Sequence, residues 1–183
     1  MKVVVLGAGI SGHTAAAFLK KKLGKNHDVI VVSPSKYYQW LPSNIWVGVG
    51  KMKPDQLRFD QYKVYNRWGI DFRQAKATAI HPEGATGSHT AFVDIEYTSV
   101  DKKGETDRVE YDYLVNATGP KLNFEVTESM GPGKNTVSVC SYDHAAHAWE
   151  ELKKSIEKMK KGEKQRFLIG TGHPMGTCQG AAF

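Results

Sequence analysis

Three observations predict an α/β fold built on a parallel sheet. A short β-branched strand, a glycine-rich turn, a helix and a second strand follow one another within residues 2–33. An alternating pair of strands around residues 91–111 inserts an antiparallel β-meander. An apolar run at 166–169 with a second glycine-rich turn reads as the start of another βαβ unit.

Residues 2–6 are a buried parallel strand by pattern, apolar and β-branched without alternation and ended by glycines. Residues 11–23 follow as an Ala-rich helix, with Lys20, Lys21 and Lys22 at the C-terminal end that favours cations and Gly24 as its cap. Residues 28–33 form the second strand. The aromatic, Pro-containing stretch 35–50 is too irregular for one element and reads as a covering or binding loop. Residues 70–72 look like a third strand. Residues 91–97 alternate with period two, a turn follows at Asp101-Lys102-Lys103-Gly104, and a polar strand returns over 106–111. Residues 113–117 resume the buried-strand pattern and run into Ala117-Thr118-Gly119-Pro120. Ser141 is an N-cap for a helix whose apolar residues Ala145, Ala148, Trp149, Leu152, Ile156 and Met159 recur at helical spacing and which ends near Gly162.

At 183 residues, 40% hydrophobic and 24% charged, the chain can bury a core without disulfide staples. The net charge of +6 comes largely from two lysine runs, at 20–22 and 153–164. These read as solvated helix ends and faces, or as a surface attracted to anionic lipid. Nucleic acid is not an expected partner, because no aromatics interleave with the basic runs. The first apolar run is too short for a signal peptide and no stretch approaches the ~20 apolar residues that span a bilayer, so any membrane contact is peripheral and the alternative is a cytoplasmic protein. Two cysteines, Cys140 and Cys178, suit a reducing compartment or a redox role. Cys-x-x-Cys, His-Glu-x-x-His and Gly-x-Ser-x-Gly are absent, which argues against structural zinc, a metalloprotease or a hydrolase, and no metal is expected.

The chemistry begins at Gly7-Ala8-Gly9-Ile10-Ser11-Gly12. Gly7 permits a tight turn, Gly9 lets backbone N–H groups reach a pyrophosphate at the helix N-terminus, and Gly12 lets helix pack closely on strand. Directly after a strand and opening a helix, this is the dinucleotide-binding pattern in its required context. The usual Asp or Glu at the end of the second strand is replaced by Ser33. Ser33 and Ser35 either hold the adenosine ribose with uncharged bonds or are turn residues. Cys178 stands between a glycine-rich turn and a helix-like end, where a thiolate is favoured; the alternative is a small buried hydrophobe. Cys140 precedes the long helix with His144 in its first turn, a proton donor or acceptor near neutral pH. His147 and His173 are weaker candidates for that task.

The chain resembles the sulfide:quinone oxidoreductases, FAD enzymes among the two-dinucleotide-binding-domain flavoproteins. The likeness is carried by the glycine turn, by 37–50 (Tyr37-Tyr38-Gln39-Trp40-Leu41-Pro42-Ser43-Asn44-Ile45-Trp46 onward), by 111–122 with its Ala-Thr-Gly turn, by Cys140-Ser141-Tyr142-Asp143-His144-Ala145 and by the turn into Cys178. The resemblance implies a Rossmann-like FAD-binding domain and FAD as cofactor, with Gly7, Gly9, Ile10, Ser11, Gly12, Ser33, Ser35, Pro42, Ala77, Ala117, Thr118, Gly119 and Pro120 along it. It implies that sulfide attacks a sulfur bridge between two redox cysteines, one matched by Cys178, and that electrons pass through the flavin to a membrane quinone. Cys140 matches a cysteine that in some members is bonded to the flavin, and His144 a histidine tied to proton handling. The partners implied are sulfide and quinone, with a homo-oligomer compatible and membrane contact made by a C-terminal half. The expected division is an FAD-binding domain over 1–165 and the start of a second dinucleotide-binding domain over 166–183, truncated, so that this stretch by itself is expected to be close to inactive. Two other functions compete: a flavin subunit passing electrons to a cytochrome, and a flavin-binding module without catalysis.

Overall fold

The computed structural model describes residues 1–87 and 89–170. By contacts the chain divides into two compact units, Met1–Tyr38 with Phe59–Pro120, and Gln39–Arg58 with the residues from Lys121 onward. The chain leaves the first unit through β3 (Tyr37–Gln39) and re-enters it through β4 (Arg58–Asp60), which form a two-stranded sheet.

The first unit is a six-stranded sheet of β1 (Lys2–Leu6), β2 (Asp28–Ser33), β5 (Asp71–His81), β6 (Phe92–Tyr97), β7 (Thr106–Glu110) and β8 (Tyr113–Asn116), in the order β7-β6-β5-β2-β1-β8. β8, β1, β2 and β5 run parallel, while β6 and β7 add on antiparallel. The β-branched runs of β1 and β2 bury both faces, as central parallel strands must. Val4, Leu6, Ile30 and Val32 pack against the meander residues Ala75, Val93, Ile95 and Val109. Val5, Val29 and Val31 pack under Ala16 of α1 (Ile10–Leu23) and Tyr65 of α3 (Gln61–Trp68). Each fully buried valine contributes about 1.5–3 kcal/mol against an exposed one. Asp60 caps α3 by accepting from the Tyr62 N–H at 2.9 Å.

The second unit packs α2 (Asn44–Gly48) on α4 (Tyr142–Lys160), with Val47, Leu57 and Ala145 at its centre and Met52 and Val139 beside them. Among the described residues, no helix is long and apolar enough to cross a membrane.

The fold class matches the sequence reading, and three elements depart from it. The third strand is not a short run at 70–72: β5 spans eleven residues because it continues past β2 to pair with β6, with a register shift between Ala77 and Ala79 where Thr78 donates to the Asp94 carbonyl. β8 is not a buried central strand; it pairs only with β1 among the described residues and leaves Tyr113 61% exposed. Residues 166–169 form no strand; Leu168 is 99% exposed, and an apolar run without a ladder partner among the described residues cannot satisfy strand pairing. The turn that follows, from Thr171 onward, lies outside the described residues.

Candidate functional site

The C-terminal ends of β1, β2 and β8 stop level with one another, since Leu6 pairs with both Val32 and Asn116. Crossing from β1 into α1, the Gly7 N–H donates to the Val32 carbonyl at 2.8 Å and the Ala117 N–H donates to the Leu6 carbonyl at 2.8 Å. This is the crevice outside the carboxyl ends of parallel strands where nucleotides bind.

Gly7 has φ +92°, and a Cβ there would collide with the Ala117 carbonyl. A Cβ on Gly12 would collide with the Gly7 carbonyl, so helix and strand meet backbone to backbone. Gly9 is different: nothing lies within 4 Å of a Cβ built on it. The first intrahelical bond is His13 N–H to the Gly9 carbonyl at 2.9 Å, so the N–H groups of Ile10, Ser11 and Gly12 precede the helix ladder. The first turn of α1 has no acidic side chain and no side-chain cap. Open space, free-ended donors and a positive helix terminus fit a pyrophosphate.

Around this turn, Ser33 ends β2 and is buried, while the exposed Ser35 accepts the Tyr37 N–H at 3.1 Å. Ala77 is half-buried opposite Ile95, beyond the end of β2. In the Ala-Thr-Gly turn, the Thr118 N–H and hydroxyl donate to Asn116 Oδ1 at 3.3 and 2.9 Å, and Gly119 has φ +75°. Pro120 is exposed. These residues all belong to the first unit.

Pro42, Cys140 and His144 belong to the second unit. Pro42 is exposed in the 3-10 turn Leu41–Ser43. The Cys140 thiol is free and exposed, one residue before the Ser141 cap, and its N–H donates to Ser138 Oγ at 3.1 Å. The His144 N–H donates to Ser141 Oγ at 3.4 Å and its ring meets Phe124 edge-on at 5.5 Å. Its Nδ1 is buried with no partner among the described residues, a state that costs about 1–3 kcal/mol. Cys178 and His173 lie outside the described residues. No cluster of His, Cys, Asp or Glu is arranged to hold a metal among the described residues.

Sequence reasoning missed two features beside the glycine turn. Gln61, 1% exposed, donates from Nε2 to the Ala8 carbonyl at 2.8 Å. His13, the residue after Gly12, shares a hydrogen bond of 3.0 Å between Nδ1 and the Tyr65 hydroxyl and is ringed by Tyr38, Phe59, Tyr65 and Trp68. Burial holds the His13 pKa below its ordinary value and raises that of Tyr65. Neither side chain belongs to a sequence motif, because each acts through residues distant in sequence.

Comparison with known proteins places this geometry. The chain is 29% identical to the sulfide-quinone reductase of Aquifex aeolicus over 150 residues, which is 82% of this chain and 31% of that protein. It is 29% identical over 176 residues to the mitochondrial sulfide:quinone oxidoreductase of Dictyostelium discoideum, covering 93% of this chain and 34% of that one. The crystal structure of the Aquifex aeolicus sulfide:quinone oxidoreductase matches with a TM-score of 0.66 and 26% identity, over 85% of this chain and 32% of that one. The chain therefore spans about a third of the length of these relatives. Residues 1–173 match the family of FAD-binding flavoproteins described as pyridine nucleotide-disulphide oxidoreductases, and the chain belongs to that family.

Proposed function

We infer that this chain supplies the FAD-anchoring part of an enzyme that oxidises sulfide to sulfane sulfur and delivers the electrons to a quinone at a membrane surface. The observation that carries the reading is the likeness to two sulfide:quinone reductases over most of the chain, joined to a glycine turn whose geometry fits a dinucleotide.

Gly9, Ile10, Ser11 and Gly12 bind the pyrophosphate through backbone N–H groups and the α1 terminus, and Gly7 makes the tight turn that brings it close. Ser33 and Ser35 hold the adenosine ribose, and Pro42, Ala77, Ala117, Thr118, Gly119 and Pro120 line the rest of the cofactor. Bound FAD supplies the acceptor for the electron pair that sulfide loses. Cys178 would be one of two redox cysteines joined by a sulfur bridge: sulfide attack breaks that bridge, leaving a persulfide on one cysteine and a thiolate on the other, and re-forming the bridge around the added sulfur releases the electron pair to the flavin. His144 moves a proton through its unpartnered Nδ1. Cys140, free and exposed, is the point at which the flavin is attached.

Anaerobic sulfide with decylubiquinone tests this in the whole enzyme to which the chain contributes. There the reading expects sulfide-dependent quinone reduction that Cys178→Ser abolishes while FAD stays bound, and close to none from residues 1–183 alone. Undiminished turnover by Cys178→Ser would remove Cys178 from the reaction.

A further inference from the structure

Gln61 opens α3 in a position where a polar side chain brings a penalty. It is 1% exposed, and its Oε1 is buried with no partner among the described residues. A leucine of similar size would remove that orphan acceptor but would also take away the donor that the buried Ala8 carbonyl has. What the amide provides is one bond, Nε2 to the Ala8 carbonyl at 2.8 Å, while its own backbone N–H donates to the Lys36 carbonyl at 2.8 Å. Gln61 thus joins the middle of the glycine turn to the loop that leaves β2.

The bond matters because of the peptide it grips. The Ala8 carbonyl and the Gly9 N–H share one planar trans peptide and point in opposite directions. Pulling the Ala8 oxygen down into the protein turns the Gly9 N–H the opposite way, and nothing lies within 4 Å of a Cβ built on Gly9. We propose that Gln61 is a positioning residue for the dinucleotide: by holding the Ala8 carbonyl it aims the Gly9 N–H at a pyrophosphate oxygen. The role rests on the flavin reading above and concerns a residue outside the glycine motif.

FAD affinity of the apoprotein, followed by flavin fluorescence for wild type, Gln61→Leu and Gln61→Glu, tests it. A neutral glutamic acid can donate to the Ala8 carbonyl and an ionised one cannot, and burial moves that titration upward into an accessible range. Gln61→Leu should bind FAD about tenfold more weakly at all pH values. Gln61→Glu should match wild type near about pH 5.5 and bind about thirtyfold more weakly near about pH 8. Wild type measured in parallel subtracts the titration of groups on the elements that meet there, His13, Lys36, Asp60 and Tyr65 among them. Urea midpoints of the apoproteins separate a loss of fold from a loss of aim; if Gln61→Leu fails to fold, Gln61→Glu at the lower pH carries the comparison. A merely structural glutamine would lower the midpoints without a pH-dependent FAD affinity. Gln61→Glu affinity that follows wild type at both pH values, or Gln61→Leu affinity equal to wild type, overturns the role. Wild type that holds no FAD would count against the flavin reading itself, an outcome distinct from either.

Discussion

The carbonyl oxygen of Ala117 occupies the place that a Cβ on Gly7 would need, so the first glycine of the turn and the end of β8 meet through bare backbone. The same crowding recurs between Gly12 and the Gly7 carbonyl, whereas Gly9 faces open space. Stability and cofactor binding are therefore separable within one motif. Gly12→Ala should cost about 1–3 kcal/mol of stability as well as FAD binding. Gly9→Ala should cost no more than about 1 kcal/mol, as a cap change, yet weaken FAD binding about tenfold or more. Urea unfolding of the apoproteins and FAD titration distinguish the two; equal stability losses would contradict the geometry.

His13 gives the first unit a pH dependence of known sign. Burial lowers its folded pKa below the ordinary value of 6.5, so the unfolded chain binds the proton more readily. The contribution of neutral His13 is fully present above about pH 6.5 and is lost as pH falls from there toward the depressed folded value. His13→Asn should flatten this part of the stability profile, measured by urea midpoints across the range. An unchanged slope would remove His13 as its source.

Ser141 caps α4 through a bond of 3.4 Å to the His144 N–H, long for a hydrogen bond. Ser141→Ala should therefore cost about 0.5–1 kcal/mol, at the low end for a cap. A loss above about 2 kcal/mol would show that the hydroxyl does more than cap.

Cys140, with its exposed thiol one residue before that cap, is the candidate point of flavin attachment. Acid precipitation of the holoprotein should leave the yellow colour in the pellet for wild type and release it for Cys140→Ser. Colour in both pellets would place the attachment elsewhere; colour in neither would show that the flavin is dissociable and Cys140 is not its point of attachment.

The features legible in sequence were those with a strong period or an obligatory residue type. β1, β2 and α1 were readable because strands buried on both faces need unbroken β-branched runs and the turn between them admits only glycine at Gly7 and Gly12. α4 was readable from its cap and its helical spacing. The length of β5 was not, since Arg73, Gln74, Lys76 and Thr78 give it no clean alternation and its second half is held by a long-range antiparallel partner. Residues 166–169 carried a strand's composition without a ladder partner among the described residues, and composition alone does not make a strand. Gln61 and His13 were silent for a related reason: their meaning lies in Ala8 and Tyr65, 53 and 52 residues away.

Anaerobic addition of sulfide to the whole enzyme to which this chain contributes, watched in the visible spectrum, tests the central claim most directly. The account predicts flavin bands that bleach with sulfide and return on adding quinone. A colourless protein, or flavin bands that sulfide leaves unchanged while NADH bleaches them, would contradict it.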